Sequence, residues 1–116
     1  MSDRIFSEYL EDILDAISKI RQFIGEMDYN SFSEDEKTSF AVVRALEIIG
    51  EASKHIPEEV RTSHSDLPWR EMAGIRDKLV HDYFGVNLSV VWKTVKQDLP
   101  TLEPQIRSIL KEAEDR

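Results

Sequence analysis

Three side chains close together in the sequence could combine proton transfer with phosphate binding. Residues 76–85 read RDKLVHDYFG and contain Arg76, His81 and Tyr83. Histidine, with an ordinary pKa of about 6.5, can accept or donate a proton at cellular pH. Arginine stays protonated and offers a planar set of donors that matches phosphate oxygens. This combination suits cleavage of an RNA phosphodiester, in which the 2′-hydroxyl loses a proton and arginine neutralises the charge that develops on the phosphate. Taken alone, an arginine and a histidine at this spacing can also be a structural ion pair or capping group, and Tyr83 a core aromatic residue.

This chemistry requires no metal ion or cofactor, because the attacking oxygen belongs to the RNA. The expected product is a 2′,3′-cyclic phosphate. The chain contains no cysteine, which excludes disulfides and thiolate metal sites. Its three histidines, His55, His64 and His81, lack the i, i+4 spacing of a helical metal pair. We therefore expect neither a metal site nor a cofactor.

Helix geometry decides whether the three side chains can meet. Each residue of an α-helix turns by about 100°, so Tyr83 lies about 20° around the axis from Arg76, whereas His81 lies about 140° from it. The gap could be closed by the long arginine side chain, by distortion of the helix before Gly85, or by a second copy of the helix. We favour the second copy, because a two-fold axis beside this helix would line one cleft with both sets of side chains. This interpretation predicts a homodimer.

Two long amphipathic helices are expected in the first half of the chain, because apolar residues recur there at steps of three and four. The first helix is expected to be capped by Ser2 or Asp3 and to end near Glu26. The second is expected to begin at a capping box of Ser33 with Glu36 and to end near His55. The expected apolar stripe of the second helix consists of Phe40, Val43, Leu46, Ile49, Ala52 and Ile56. Residues 27–32 are expected to form a connector, and residues 58–64 a short helix or a turn.

The second half of the chain predicts the helix that carries the three candidate side chains and two helices after it. The first of these has Pro68 in its first turn and Gly85 at its end. Its expected apolar face consists of Met72, Ile75 and Leu79. Asn87 is expected to cap the next helix, with Val90, Val91 and Val95 facing inward. Residues 98–100 predict a kink or a new start, and residues 100–114 form the last helix.

The pattern as a whole predicts an all-α protein. No stretch of useful length alternates as a strand would, and there are no repeats. Short connections between amphipathic helices indicate one up-and-down bundle of four to five helices, a single domain over residues 1–116. No apolar run approaches the roughly 20 residues of a membrane span, and nothing resembles a signal peptide. We therefore expect a cytoplasmic protein that does not enter a membrane.

The charge is unevenly distributed. The net charge of −8 argues against a protein whose whole surface binds nucleic acid. Residues 66–96, however, contain five lysines and arginines against four aspartates and glutamates. The candidate side chains therefore lie in the least acidic part of the chain, which permits a local site for a polyanion.

The stretch RDKLVHDYFG resembles the Arg-x4-His-x-Tyr motif of HEPN domains, and specifically the HepT toxin family. The resemblance continues in RALEIIGEASKHIPEEVR at residues 44–61, in LPWREMAGIRDKLVHDYFGVN at residues 67–87 and in VVWKTVKQDLPTLEPQI at residues 90–106. It covers roughly residues 1–112 in organisation. A likeness of this extent is far more specific than a match to the short motif alone.

The resemblance implies a role for each matching residue. Arg76 and His81 match the ribonuclease pair of the family, and Asp77 matches a polar position that helps to hold that pair. Tyr83 matches a tyrosine that a partner antitoxin, a nucleotidyltransferase of the MNT type, adenylylates. The family resemblance also implies a homodimer with its cleft at the two-fold axis. Adenylylated Tyr83 would carry a bulky anion into the phosphate site and repel RNA.

One more residue is a candidate for the site, and two other functions of the chain stay open. Glu51, on the second helix, could pair with Arg76 and orient it, although a solvated glutamate is the alternative. Instead of an endoribonuclease toxin, the chain could be a non-catalytic helical module that binds RNA or the nucleotidyltransferase. It could also serve chiefly as the substrate and regulatory subunit of that nucleotidyltransferase.

Overall fold

Helix α1, Phe6–Ile24, opens the fold in the computed structural model, which describes residues 5–79 and 85–115. Its buried side chains follow the predicted spacing of three and four residues: Leu10, Ile13, Ala16, Ile17, Ile20 and Ile24. Gly25 ends the helix with a φ of 53°, a left-handed conformation that glycine adopts without steric cost. The predicted end near Glu26 is therefore confirmed to within two residues.

A short helix, α2, Tyr29–Glu34, occupies most of the segment that we expected to be a connector. The carboxylate of Asp28 caps it by accepting a hydrogen bond of 2.8 Å from the N–H of Ser31. That bond holds the pKa of the Asp28 carboxyl below its ordinary value. Phe32 is fully buried and packs against Trp92, with ring centroids 5.1 Å apart. The connector prediction is wrong because an aspartate cap and one buried aromatic ring stabilise a helix of this length.

The second long helix, α3, Glu36–Ser53, begins at a different cap from the one predicted. Asp35 Oδ1 accepts a hydrogen bond of 3.0 Å from the N–H of Thr38. Ser33 Oγ instead donates to a backbone carbonyl inside α2. The predicted capping box of Ser33 and Glu36 is wrong because α2 takes Ser33 into its own last turn.

The apolar face of α3 differs from the prediction at its first turns. The buried apolar residues of the helix are Val42, Ala45, Leu46, Ile49 and Ala52. Phe40, which we expected to face inward, is 70% exposed, and Val43 is only half-buried. Val42 and Ala45 fill the interior in their place. The buried stripe therefore lies slightly further around the helix axis than predicted, on residues that keep the same spacing of three and four.

Two short helices stand where we predicted the start of one long helix. They are α5, Trp69–Ala73, and α6, Ile75–Leu79, and Gly74 separates them. Pro68 precedes α5 as its cap, so its predicted place in the first turn is wrong. The predicted apolar face is confirmed, since Met72, Ile75 and Leu79 are all buried. Gly85 has a φ of 78°, but the predicted helix end before it lies outside the described residues.

The last helical run changes type at the place where we expected a kink or a new start. It consists of α7, Leu88–Lys93, a π-helical turn, Thr94–Asp98, and α8, Leu99–Glu114, which begins directly after that turn. Asn87 caps α7 as predicted, with Oδ1 accepting hydrogen bonds from two backbone N–H groups. The wider π turn lets the chain pass into α8 although Pro100 cannot donate a backbone hydrogen bond.

The helices surround one apolar core. Helix α1 packs against both α3 and α8, and α5 and α6 pack against α3. A short helix, α4, Glu58–Ser63, confirms the helical reading of residues 58–64. Glu103 of α8 is nearly buried and accepts hydrogen bonds from Arg21 of α1 and Arg107 of its own helix, which links the two long helices. The prediction of an all-α bundle is confirmed.

Within residues 5–79 and 85–115, no helix is long and apolar enough to cross a membrane.

Candidate functional site

Helix α6 presents Arg76 to solvent beside α3. The flanking residues Ile75 and Leu79 are buried and fix the helix against the core. The side chain of Arg76 is 75% exposed. An exposed guanidinium on a fixed backbone can reach the phosphate of a ligand without the cost of leaving an apolar interior.

The carboxylate beside Arg76 belongs to Glu47 of α3. Oε2 of Glu47 lies 3.8 Å from Nε of Arg76, and Oε1 lies 4.0 Å from Nη1 of Arg44. Such ion pairs near the surface contribute at most about 1 kcal/mol to stability. The approach is to the Nε edge of Arg76, and the two terminal amino groups of a guanidinium form the fork that binds phosphate oxygens.

Arg76 pairs with Glu47 and not with Glu51, the partner that the sequence left possible. Glu51 instead lies 3.6 Å from Nζ of Lys54 and 3.9 Å from Nε2 of His55. The reason is distance along α3, because Glu51 lies one turn, about 6 Å, beyond Glu47. Glu51 and Arg76 nevertheless line the same depression, whose volume is about 240 Å³. A supporting role for Glu51 in function stays a prediction.

Sequence reasoning missed Glu47, although a signal for it existed. Glu47 and Glu51 are four residues apart and share a face of α3, so either could have met a cation on the neighbouring helix. Choosing between them required the position of α6 along α3, which the apolar spacing does not report.

Gly50 sets how closely α3 approaches the two short helices. A Cβ atom at Gly50 would lie 2.8 Å from Cγ2 of Ile75 and 3.1 Å from the carbonyl oxygen of Met72. A Cβ contact of 2.8 Å essentially never occurs in folded proteins, so a side chain at Gly50 would require Ile75 to shift. The absence of a side chain at Gly50 therefore brings Arg76, the residue after Ile75, up to Glu47.

Replacing Gly50 with Ala is expected to lower the free energy of unfolding by about 1–2 kcal/mol, because overpacking exceeds the gain in helix propensity. The displaced α6 should also lower the rate of the predicted RNA cleavage by about 10-fold or more. Thermal unfolding and cleavage assays measure the two effects. Gly74→Ala is the matched control, since its Cβ would lie 3.4 Å from the nearest atom, a carbonyl oxygen. Equal stability and activity of the two variants would contradict this packing argument.

Asp77 follows Arg76 on α6 and is exposed. Its backbone N–H donates to the carbonyl of Gly74 at 3.0 Å, which starts α6 directly after the break. This contact involves the backbone only. The supporting role that the resemblance implies for the Asp77 side chain stays a prediction.

His81 and Tyr83 fall in residues 80–84, which lie outside the described residues. The two flanks of this segment meet, because the N–H of Asn87 donates to the carbonyl of Leu79 at 2.8 Å. Leu79 is fully buried, so the junction is fixed to the core. The roles of His81 and Tyr83 stay predictions.

Comparison with known proteins gives a consistent picture over nearly the whole chain. The family model described as ribonuclease HepT-like matches residues 13–109. A protein of Thermococcus cleftensis, named a probable ribonuclease HepT, is 53% identical over 108 residues, which cover 93% of this chain and 98% of that protein. A provisionally named RNase of Caldanaerobacter subterraneus is 45% identical over 102 residues, 88% of this chain and 91% of that protein. Another, of Methanocaldococcus jannaschii, is 40% identical over 116 residues and all of both chains. Among solved structures, none matches significantly.

Proposed function

This chain belongs to the HepT-like ribonuclease family, and from that membership we propose that it is an endoribonuclease that cleaves RNA without a metal ion. The observation that carries the proposal is the exposed guanidinium of Arg76. Buried neighbours hold the backbone of Arg76 in place, and Glu47 approaches its side chain. The motif residue His81 follows five positions later. The names of the relatives, which call them ribonucleases, support the same reaction class.

In the proposed reaction, the imidazole of His81 accepts the proton of a 2′-hydroxyl. The freed oxygen attacks the adjacent phosphorus, and the bond from phosphorus to the 5′ oxygen breaks. Arg76 donates hydrogen bonds to the non-bridging oxygens, whose negative charge grows in the transition state. A protonated imidazole returns a proton to the leaving 5′ oxygen. The products are a 2′,3′-cyclic phosphate and a 5′-hydroxyl.

The active form in this proposal is a homodimer. On one ideal helix Arg76 and His81 point about 140° apart, which a symmetric pair of helices resolves by combining side chains from both copies. The exposure of Arg76 in the single chain is compatible with a site completed by a partner copy.

The proposed regulation is that of a toxin and its antitoxin. An MNT-type nucleotidyltransferase would transfer an adenylyl group to the hydroxyl of Tyr83 and release pyrophosphate from ATP. The phosphodiester added to Tyr83 would be anionic and would compete with RNA for Arg76. In this proposal the antitoxin silences the ribonuclease by covalent modification.

The test is RNA cleavage by the purified protein in EDTA, with analysis of the ends that are produced. We expect cleavage to persist in EDTA and to yield cyclic phosphate ends. The same sequence made as DNA should remain intact, because it lacks the 2′-hydroxyl. Intact RNA that is shifted in a binding gel would favour the non-catalytic module, and cleavage that stops in EDTA would overturn the metal-independent mechanism.

A further inference from the structure

A second depression adjoins the one beside Arg76. It has a volume of about 170 Å³ and is lined by residues of α1 and α3 and by His55, which follows α3. Two residues, Arg44 and Glu51, line both depressions. The two therefore form one surface that runs from α6 across α3 to α1. We call it the α3 groove.

The far end of the α3 groove holds a pair of stacked rings. The rings of Tyr9 and His55 are nearly parallel, with centroids 4.6 Å apart and an angle of 10° between their planes. Tyr9 is half-buried and packs against the core, whereas the side chain of His55 is 49% exposed. The imidazole is therefore the more accessible ring, held flat by the phenol beneath it.

Cationic side chains line the α3 groove from the stacked rings to Arg76. The side chains of Arg44, Lys54 and Arg76 are 72%, 58% and 75% exposed. Three carboxylates also line the groove, those of Asp12, Glu47 and Glu51. The groove carries three cations and three carboxylates, so its formal charge is zero. It therefore repels a polyanion far less than the average surface of a chain with a net charge of −8 does.

The pairing inside the α3 groove leaves its cations able to change partners. Glu47 and Glu51 hold Arg44, Arg76 and Lys54 at 3.6–4.0 Å, and these exposed contacts contribute little free energy. Phosphate oxygens can replace such carboxylates at small cost. In the absence of RNA the same carboxylates keep the cations extended along the surface.

We propose that the α3 groove binds the RNA strand next to the cleaved linkage and that a nucleobase stacks on His55. The inference rests on the proposed ribonuclease function and adds a substrate subsite to it. From Glu47 to the end of α3 at Ser53 the helix rises about 9 Å, and His55 follows two residues later, a span that a few nucleotides cover. Stacking on a flat ring accepts any base, because every base has a π-face. The subsite would therefore add affinity without strict sequence preference.

The test measures binding of a single-stranded oligonucleotide in which 2′-fluoro groups replace the 2′-hydroxyls, so that it cannot be cleaved. His55→Ala is expected to weaken binding by about 10-fold or more, while His55→Phe, which keeps a flat ring, stays within about threefold of the parent. His64→Ala is the matched control, because His64 lines a different depression and lies 3.5 Å from Glu112. Removing the base at one position of the oligonucleotide should weaken binding to the parent but not to His55→Ala.

The possible outcomes separate this subsite from the proposed function. Parent-like binding by His55→Ala, or equal losses in His55→Ala and His55→Phe, would overturn base stacking while cleavage by the parent stands. A parent protein that neither binds nor cleaves RNA would overturn both. The expected pattern, with loss in Ala, retention in Phe and a single sensitive base, would establish the subsite.

Discussion

Arg76→Ala is expected to lower the rate of RNA cleavage by about 10²–10³-fold, and His81→Ala by about 10²–10⁴-fold. Arg76 would neutralise charge that grows only in the transition state, so its loss should reduce kcat more than it raises KM. Stability should change by no more than about 0.5 kcal/mol in Arg76→Ala, since the pair with Glu47 is exposed. Initial rates on an end-labelled RNA, together with thermal unfolding, measure both effects.

Arg70→Ala is the matched control for Arg76→Ala, because Arg70 is an exposed arginine on the neighbouring helix α5. It should cleave RNA at the parent rate. Arg76→Lys should recover only part of the lost rate, because an ammonium group keeps the charge but not the planar fork. Unchanged cleavage in either Arg76→Ala or His81→Ala would show that the catalytic assignment of that residue is wrong.

Mixing the two inactive variants tests whether the site is shared between copies. In random mixing half of the dimers contain one chain of each kind, and each such dimer has one intact combination of Arg76 and His81. If these residues act from different copies, about a quarter of the parent rate returns. A mixture that stays inactive would contradict a site that needs one Arg76 and one His81 from opposite chains.

The fold was predictable where the apolar spacing is long and regular. Helix α1 and the buried face of Met72, Ile75 and Leu79 follow the α-helical period, and that period survives even the interruption at Gly74. A period averages over several turns, so it reports which face is buried without reporting a local break. The prediction of the buried face was therefore confirmed, whereas the prediction of one continuous helix was wrong.

Local structure was less predictable because competing caps lie close together. Ser33, Asp35 and Asp28 are all residues that favour helix starts, within eight positions of the chain. The capping box at Ser33 looked complete in sequence, but the burial of Phe32 favours a helix that includes Ser33. Tertiary packing thus decided between caps of similar intrinsic strength.

The candidate site was predictable in type rather than in detail. The sequence offered Glu51 as a possible partner of Arg76, with a solvated glutamate as the alternative, and the carboxylate beside Arg76 belongs to Glu47. Glu47 lies one helical turn from Glu51, which corresponds to the relative shift of two packed helices. Sequence periodicity contains no information about such a shift. The close contact at Gly50 sets it, and that contact is a property of the folded chain.

Adenylylation of Tyr83 is expected to reduce RNA cleavage by about 10²-fold or more. In the proposed regulation, the phosphate added to Tyr83, seven positions after Arg76 in the sequence, reaches the Arg76 guanidinium. A phosphodiester bound there would take the donors that the scissile phosphate needs. Co-expression with the proposed MNT-type nucleotidyltransferase, followed by intact mass spectrometry and a cleavage assay, measures modification and activity in one sample.

Tyr83→Phe should gain no mass on co-expression and should go on cleaving RNA, because it lacks the hydroxyl that accepts the adenylyl group. Tyr29→Phe is the matched control, since Tyr29 is an exposed tyrosine on α2, and it should be modified and silenced like the parent. If the parent mass stays unchanged, or if a fully adenylylated protein cleaves RNA at the unmodified rate, Tyr83 is not the switch. The second result would also mean that an anion at residue 83 does not reach Arg76. The added phosphate and the RNA phosphate would then occupy different sites.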